Sequence, residues 1–199
     1  MKKLLIIVCI ASLTFVSCST TKTARLGLKA GANFSTISGD DTDNVKTLTA
    51  FHVGGVAEVP VSDNFSVQPE LLYSSQGAKY EESEGYDGKF KFDYINVPVM
   101  AKFNVSNGLS LEAGPQVGFL MSAKDEYNST GDSGEEDIKD FVKGLDFGLN
   151  IGAGYRLESG LNFGARYNLG LSNINDFEGA DDFKNQNGVI QLYVGYFFN

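Results

Sequence analysis

Between Leu145 and Leu171 the chain alternates almost without a break. Leu145, Phe147, Leu149, Ile151, Ala153, Tyr155 and Leu157 are apolar, and Asp146, Gly148, Asn150, Gly152, Gly154 and Arg156 between them carry no apolar side chain. After Glu158-Ser159-Gly160 the pattern resumes, with Leu161, Phe163, Ala165, Tyr167, Leu169 and Leu171 set against Asn162, Gly164, Arg166, Asn168 and Gly170. A period of two places successive side chains on opposite faces of a strand, so this segment predicts two strands with one apolar and one polar face. Strands of soluble proteins run about 5–6 residues. These are about twice as long, which suits a tilted strand crossing a bilayer in about 9–11 residues.

The N-terminus reads as an export signal. Met1-Lys2-Lys3, an apolar run from Leu4 to Val16 and the small polar Ser17-Cys18-Ser19-Thr20 give residues 1–18 the three parts of a secretory signal peptide. The run is too short for a spanning helix, which takes about 20 residues, and no other apolar run approaches that length. Membrane integration therefore has to use strands. Both cysteines, Cys9 and Cys18, lie in or beside this segment, which leaves no internal disulfide framework. Cys18 is a candidate lipidation site after cleavage. Phe15-Val16-Ser17 departs from the small-residue run that usually precedes such a cysteine, and ordinary cleavage near Cys18 is the alternative. Without residues 1–17 the chain keeps 14 basic residues against 25 acidic ones, a balance of −11. That balance argues against nucleic acid as a partner, since Lys and Arg carry that affinity. The remainder, 25–199, suits one domain.

Six further segments read as long strands: 25–35, 49–59, 65–76, 90–103, 109–123 and 189–198. Their connections alternate in length. Residues 60–64, 104–108 and 158–160 are tight, whereas 37–47, 77–88, 124–143 and 172–187 are long and hold 18 of the 25 acidic residues. Short turns at one end and long loops at the other is the asymmetry of outer-membrane barrels. The expected fold is therefore all-β: an eight-stranded antiparallel up-and-down transmembrane β-barrel, with both termini on the short-turn, periplasmic side. Two features strain this reading. Phe90, Phe92 and Tyr94 have the opposite parity to Ile95 onward, which predicts a bulge or a change of face. Pro69, Pro98 and Pro115 fall inside strands of a barrel that has no edge, and are expected at bulges.

Alternation alone leaves the orientation of the faces open. A lipocalin-like periplasmic barrel that binds a ligand would turn the apolar face inward. The glycine-rich polar face, its mid-strand charges and the aromatic C-terminal strand Tyr193-Val194-Gly195-Tyr196-Phe197-Phe198-Asn199 favour lipid outside. That strand resembles the signal read by the outer-membrane insertion machinery, with Asn199 displacing the terminal aromatic by one residue.

Several runs resemble a known family. Gly27-Leu28-Lys29-Ala30-Gly31-Ala32-Asn33-Phe34-Ser35, Phe65-Ser66-Val67-Gln68-Pro69-Glu70-Leu71-Leu72-Tyr73-Ser74-Ser75-Gln76-Gly77, Tyr94-Ile95-Asn96-Val97-Pro98-Val99-Met100-Ala101-Lys102-Phe103 and Gly114-Pro115-Gln116-Val117-Gly118 are similar to strands of the PorT-like outer-membrane β-barrel family of Bacteroidetes. The likeness runs from residue 25 to the end and contains all three awkward prolines. It implies a porin-like barrel in the outer membrane of a Gram-negative cell. Most members have no assigned biochemical activity, and one namesake is tied to protein secretion.

The charged residues of the polar face form the candidate site. Counted from the short turns, Glu58, Lys102 and Arg156 lie near the inner end, and Lys29, Glu70, Glu112 and Arg166 nearer mid-height. Each tier mixes signs. Because an eight-stranded barrel has an interior just wide enough for side chains, these seven are expected to plug the lumen as an ion-pair network. The sole histidine, His52, is expected as a hydrogen-bonded lumen residue. No Gly-x-Ser-x-Gly or comparable motif accompanies it, and no enzyme activity and no cofactor are expected. Asp40-Asp41-Thr42-Asp43-Asn44 and Glu135-Glu136-Asp137 are acidic enough to attract Ca²⁺ but lack the glycine and distant glutamate of an EF-hand. The expected function is a non-enzymatic surface or structural role, with an envelope or secretion component as a further alternative. Its expected partners are outer-membrane lipid, lipopolysaccharide and the insertion machinery, with the protein itself a monomer.

Overall fold

A computed structural model describes residues 23–42, 44–83, 86–129 and 132–198. The expected signal segment with Cys18, the acidic Asp43 and the terminal Asn199 lie outside the described residues. The strands are β1 (Arg25–Gly39), β2 (Val45–Pro60), β3 (Phe65–Ser83), β4 (Tyr86–Asn104), β5 (Leu109–Ser129), β6 (Asp132–Asp137), β7 (Leu145–Arg156), β8 (Leu161–Gly170) and β9 (Asn185–Phe197). Each pairs antiparallel with its neighbours in the order β4-β3-β2-β1-β9-β8-β7-β5, and a β4–β5 ladder joins the two ends. The result is a closed barrel of eight strands. The ninth strand, β6, pairs only with the far half of β5.

The apolar face points outward. Leu26 and Ile151 are 62% and 63% exposed, whereas Glu70 and Arg166 on the other face are 3% and 2% exposed. A lipocalin-like barrel would show the reverse, so that alternative does not describe this chain. In β5 the outward apolar series runs from Leu109 through Leu111, Phe119 and Met121, long enough to cross hydrocarbon.

The short turns follow the sequence closely. Ser62 N–H donates to Phe65 O at 3.0 Å, Val105 N–H to Leu109 O at 3.0 Å and Leu157 N–H to Leu161 O at 2.8 Å. Gly108 and Gly160 end two of these turns at φ of +83° and +89°, a backbone region costly for a residue with a Cβ.

At the opposite end two of the four expected long loops, 77–88 and 124–143, are largely strand in their described residues, whereas 172–187 is mostly turn. Residues 77–83 continue β3 and residues 86–88 begin β4, paired from Gly77↔Lys91 through Glu81↔Asp87. Part of 124–143 is β6, an extra strand that alternation did not reveal. Beyond the membrane both faces of a strand are wet, so the apolar period vanishes while the backbone ladder continues. Lys79 stands directly opposite Lys89, an unfavourable like-charge pair. Glu126 on the other flank ion-pairs with Lys89 at 2.7 Å.

The expected bulge is present, but on the neighbouring strand. β4 keeps one face throughout, with Phe92, Tyr94, Asn96, Met100 and Lys102 all inward. The register slips on β5, where Asp93 pairs with Ser122 and Tyr94 with Leu120. The inward aromatics at the top of β4 therefore belong to an apolar cap, which explains their parity without a change of face. The prolines are not at bulges. Register is the same on both sides of Pro69, Pro98 and Pro115, and no ladder pair forms where each faces Ala57, Glu70 and Val99 respectively. Each proline pairs on its other side, with Val99, Gln116 and Leu149. At each proline two consecutive pairs are omitted, the proline's own and the next, and this accommodates the missing N–H within a closed barrel.

Two adjacent glycines on β2 separate the inner and outer faces. A Cβ at Gly54 would meet Leu72 Cα at 2.8 Å, whereas a Cβ at Gly55 has nothing within 4 Å. Gly54→Val should abolish the fast-migrating folded band on unheated gels, and Gly55→Val should retain it. Equal behaviour of the two variants would contradict the crowded-lumen arrangement.

Candidate functional site: the polar lumen

The lumen is built by register. Glu112 on β5 lies level with Gly152 on β7, and Gly152 lies level with Arg166 on β8. On the other wall Lys29 of β1 is flanked by Gly54 and Gly195. Glycine beside each long charged side chain leaves room for it to reach across the barrel. Arg166 grips Glu70 with two parallel bonds, Nη1 to Oε2 at 3.0 Å and Nη2 to Oε1 at 2.8 Å. Its Nε donates to Glu112 Oε1 at 3.0 Å. Lys29 Nζ donates to Glu70 Oε2 at 3.2 Å. This mid-height group holds two cations and two carboxylates and is neutral as a set.

The tier nearer the short turns centres on Glu58. Arg156 binds its carboxylate with both terminal nitrogens. Lys102 Nζ donates to it at 3.2 Å, and Arg25 Nη1 at 3.3 Å. The seven charged positions singled out in the sequence thus fall into two groups, Glu58 with Lys102 and Arg156, and Glu70 with Lys29, Glu112 and Arg166. Gln68 links the groups, accepting from Lys102 Nζ at 3.0 Å and donating to Glu70 Oε1 at 2.6 Å.

Three members escaped the sequence reading. Arg25 and Gln68 appeared only as strand residues. Tyr193 was hidden in the aromatic C-terminus, although its parity opposes the outward Leu192 and Val194. Its ring lies where Gly154 and Gly164 leave space, with a Cβ at Gly154 falling 2.9 Å from its hydroxyl. Tyr193 donates to Glu112 Oε1 at 3.2 Å, and Lys29 Nζ sits 3.8 Å from its ring centroid. Arg156 similarly stacks on Phe197, 4.1 Å from that ring's centroid.

Above the charges the lumen becomes neutral and polar. His52 Nδ1 lies 2.7 Å from Asn33 Oδ1, and Asn33 Nδ2 donates to Ser74 Oγ at 2.9 Å and Ser75 O at 2.7 Å. Asn168 donates to Asn150 at 3.1 Å and Asn150 to Gln116 at 3.3 Å. Higher still, Asp146 accepts from Ser172 at 2.6 Å and from Asn187 at 3.0 Å. The partner of His52 is a carboxamide, which offers neither a nucleophile nor an acid. Among the described residues no group of three or more His, Cys, Asp or Glu side chains converges as metal ligands would.

Outside the membrane the charged pairs are ordinary surface ones. Lys124 Nζ donates to Glu135 at 2.5 Å, and that carboxylate raises the lysine above its usual pKa. The hydrogen bond from Lys89 holds Glu126 below the usual carboxylate range.

Arg166 is the member whose loss matters most, because its removal leaves Glu70 and Glu112 facing one lysine without water. Removing one partner of a buried ion pair costs about 3–5 kcal/mol. Arg166→Met should therefore lower the urea unfolding midpoint of the refolded barrel by that equivalent. Arg25→Ala, at a side chain half exposed to solvent, should change it by less than about 1 kcal/mol. Equal, small effects would show that the mid-height group is hydrated.

The profile of the family described as "Outer membrane protein beta-barrel domain" matches residues 16–176. No curated protein matches the sequence. Among solved structures, the chain resembles Ail, the attachment invasion locus protein of Yersinia pestis, at 18% identity. That likeness covers 88% of this chain and 99% of Ail with a TM-score of 0.55. Neisserial surface protein A is similar at 14% identity over 89% of this chain and 100% of its own, with a TM-score of 0.50. These likenesses concern the fold, a small closed barrel. The match over most of its length identifies the chain as a member of the outer membrane protein β-barrel domain family, resident in the Gram-negative outer membrane.

Proposed function

We propose that this protein is a non-enzymatic surface barrel whose lumen is plugged, and which works through what it presents beyond the membrane. The observation that carries this reading is the Arg166–Glu70–Glu112–Lys29 group, which reaches across the barrel from β8, β3, β5 and β1. Open aqueous channels belong to barrels of 16–18 strands, whereas eight strands enclose little more than their own side chains. With the short turns periplasmic, the extensions of β3, β4 and β5, with β6, stand outside as a stiff acidic platform for ligands, host surfaces or neighbouring cells. The PorT-like strand motifs support a porin-like barrel of this kind. Lipid and lipopolysaccharide surround it as a monomer, and the C-terminal strand β9 addresses it to the insertion machinery.

Reconstituted into planar bilayers, the protein should give no steady conductance of nanosiemens size. A stable open pore of that size would contradict the plug.

A further inference from the structure

The outward face changes character above the hydrocarbon. Ala78 and Tyr80 on β3, Phe92 and Tyr94 on β4 and Ala123 on β5 are buried on the inward side. Alternation therefore turns Lys79, Lys89, Lys91 and Lys124 outward. These lysines meet across the strands. Lys46 of β2 stands opposite Lys79, Lys79 opposite Lys89, and Lys91 opposite Lys124. Residues directly opposite have Cβ atoms about 4.5–5.5 Å apart, and like charges so placed repel. Five lysines thus form two adjoining rows, in a chain whose 25 acidic residues outnumber its 16 basic ones.

Carboxylates relieve only part of this repulsion. Glu126 takes Lys89 at 2.7 Å, and Glu135 takes Lys124 at 2.5 Å. Asp93, the next outward residue below Lys91, stands beside Tyr73. Among the described residues Lys79 and Lys91 make no ion pair. The height of the rows follows from the apolar series beneath them. Met121, 55% exposed, is the last outward apolar residue of β5, and Lys124 lies three residues further on. At about 3.3 Å per residue along a tilted strand, the ammonium groups stand just past the hydrocarbon, in the headgroup layer. Lys139 marks the same boundary, its Nζ donating to Met121 O at 2.9 Å.

We propose that this lysine face binds the phosphate groups of a phosphorylated glycolipid of the outer leaflet, whose acyl chains lie against Phe119 and Met121 below. The assignment rests on the reading that the strand extensions stand outside the cell. Charge selects an anion, and depth selects a lipid: the rows are continuous with the lipid-facing band, so one molecule can meet both. Each lysine near a charged membrane surface contributes about fivefold in affinity.

Native mass spectrometry of the full barrel in detergent tests this. The barrel is offered equal amounts of lipid A bearing two phosphates, the same lipid dephosphorylated, and phosphatidylglycerol. The phosphorylated lipid A should be retained about thirtyfold over its dephosphorylated form, the combined worth of Lys79 and Lys91, and ahead of phosphatidylglycerol. Lys79→Gln with Lys91→Gln should erase most of that preference, and Lys184→Gln, at an exposed lysine away from this face, should keep it. Equal retention of the two lipid A forms, equal retention of phosphatidylglycerol, or an unchanged preference in the double variant would each overturn the proposal. Should the double variant lose the fast-migrating folded band, Lys91→Gln alone decides, with a loss of about fivefold expected and no loss overturning the assignment. Orientation is read separately, by a large membrane-impermeant maleimide on intact cells carrying Ser133→Cys. Labelling is expected; its absence would overturn the outward orientation, and with it the outer-leaflet assignment, whichever lipid the barrel retains.

Discussion

In hydrocarbon an unpaired backbone N–H or C=O has no water to turn to, and each one left open costs several kcal/mol. This requirement governs the rest of the structure. Among the described residues no helix is long and apolar enough to cross, and the barrel meets the requirement by pairing each of its eight strands with two others, the β4–β5 ladder removing the last edge. Once the sheet is closed, the two faces of each strand acquire different solvents. The outer face meets acyl chains and carries Leu, Ile, Phe and Val. The inner face meets its own side chains and carries the charges. Three prolines inside the strands show how far the ladder can bend this rule, each site giving up two consecutive pairs while the register continues past it.

The inner face has its own constraint, which is volume. Eight strands enclose a space that long side chains fill only if others give way. Gly152 stands between Glu112 and Arg166, and Gly54 and Gly195 flank Lys29, so the charged groups can meet near the axis. Tyr193 occupies the space that Gly154 and Gly164 leave. Charges removed from water in this way are stabilised only with good geometry, and Arg166 achieves it with two bonds to Glu70 and one to Glu112. A well-packed apolar filling would serve stability as well or better. The polar filling has a different consequence: it makes the interior compatible with an apolar exterior on the same strand, since the two must alternate residue by residue.

The sequence carried this much of the structure because the membrane imposes a strict period. Strand number, short turns and the identity of the seven inner charges all follow from alternation between Leu26 and Phe198. Where the hydrocarbon ends, the period ends too. Lys79, Glu126 and Glu135 sit on strands that read as loops, because solvent on both faces removes the contrast that marks a strand. The aromatic run at Phe90, Phe92 and Tyr94 suggested a bulge in β4 for a related reason. Inward apolar residues looked out of phase, when they are the underside of an apolar cap and the slip lies across the ladder on β5. Tyr193 was legible in principle from its parity with Gly195 and Gln191, but an aromatic among outward aromatics drew no notice. The contacts of Gln68 depend on three-dimensional reach and leave no trace in the pattern.

Apolar side chains face acyl chains while the charged ones are enclosed, and this division can be read directly. The chain contains no tryptophan, so a single introduced indole reports without background. Leu192→Trp, at an outward position on β9, should be quenched strongly in bilayers of lipids brominated along the acyl chain and weakly by aqueous iodide. Quenching by iodide with indifference to the brominated lipid would place that face in water and contradict the account.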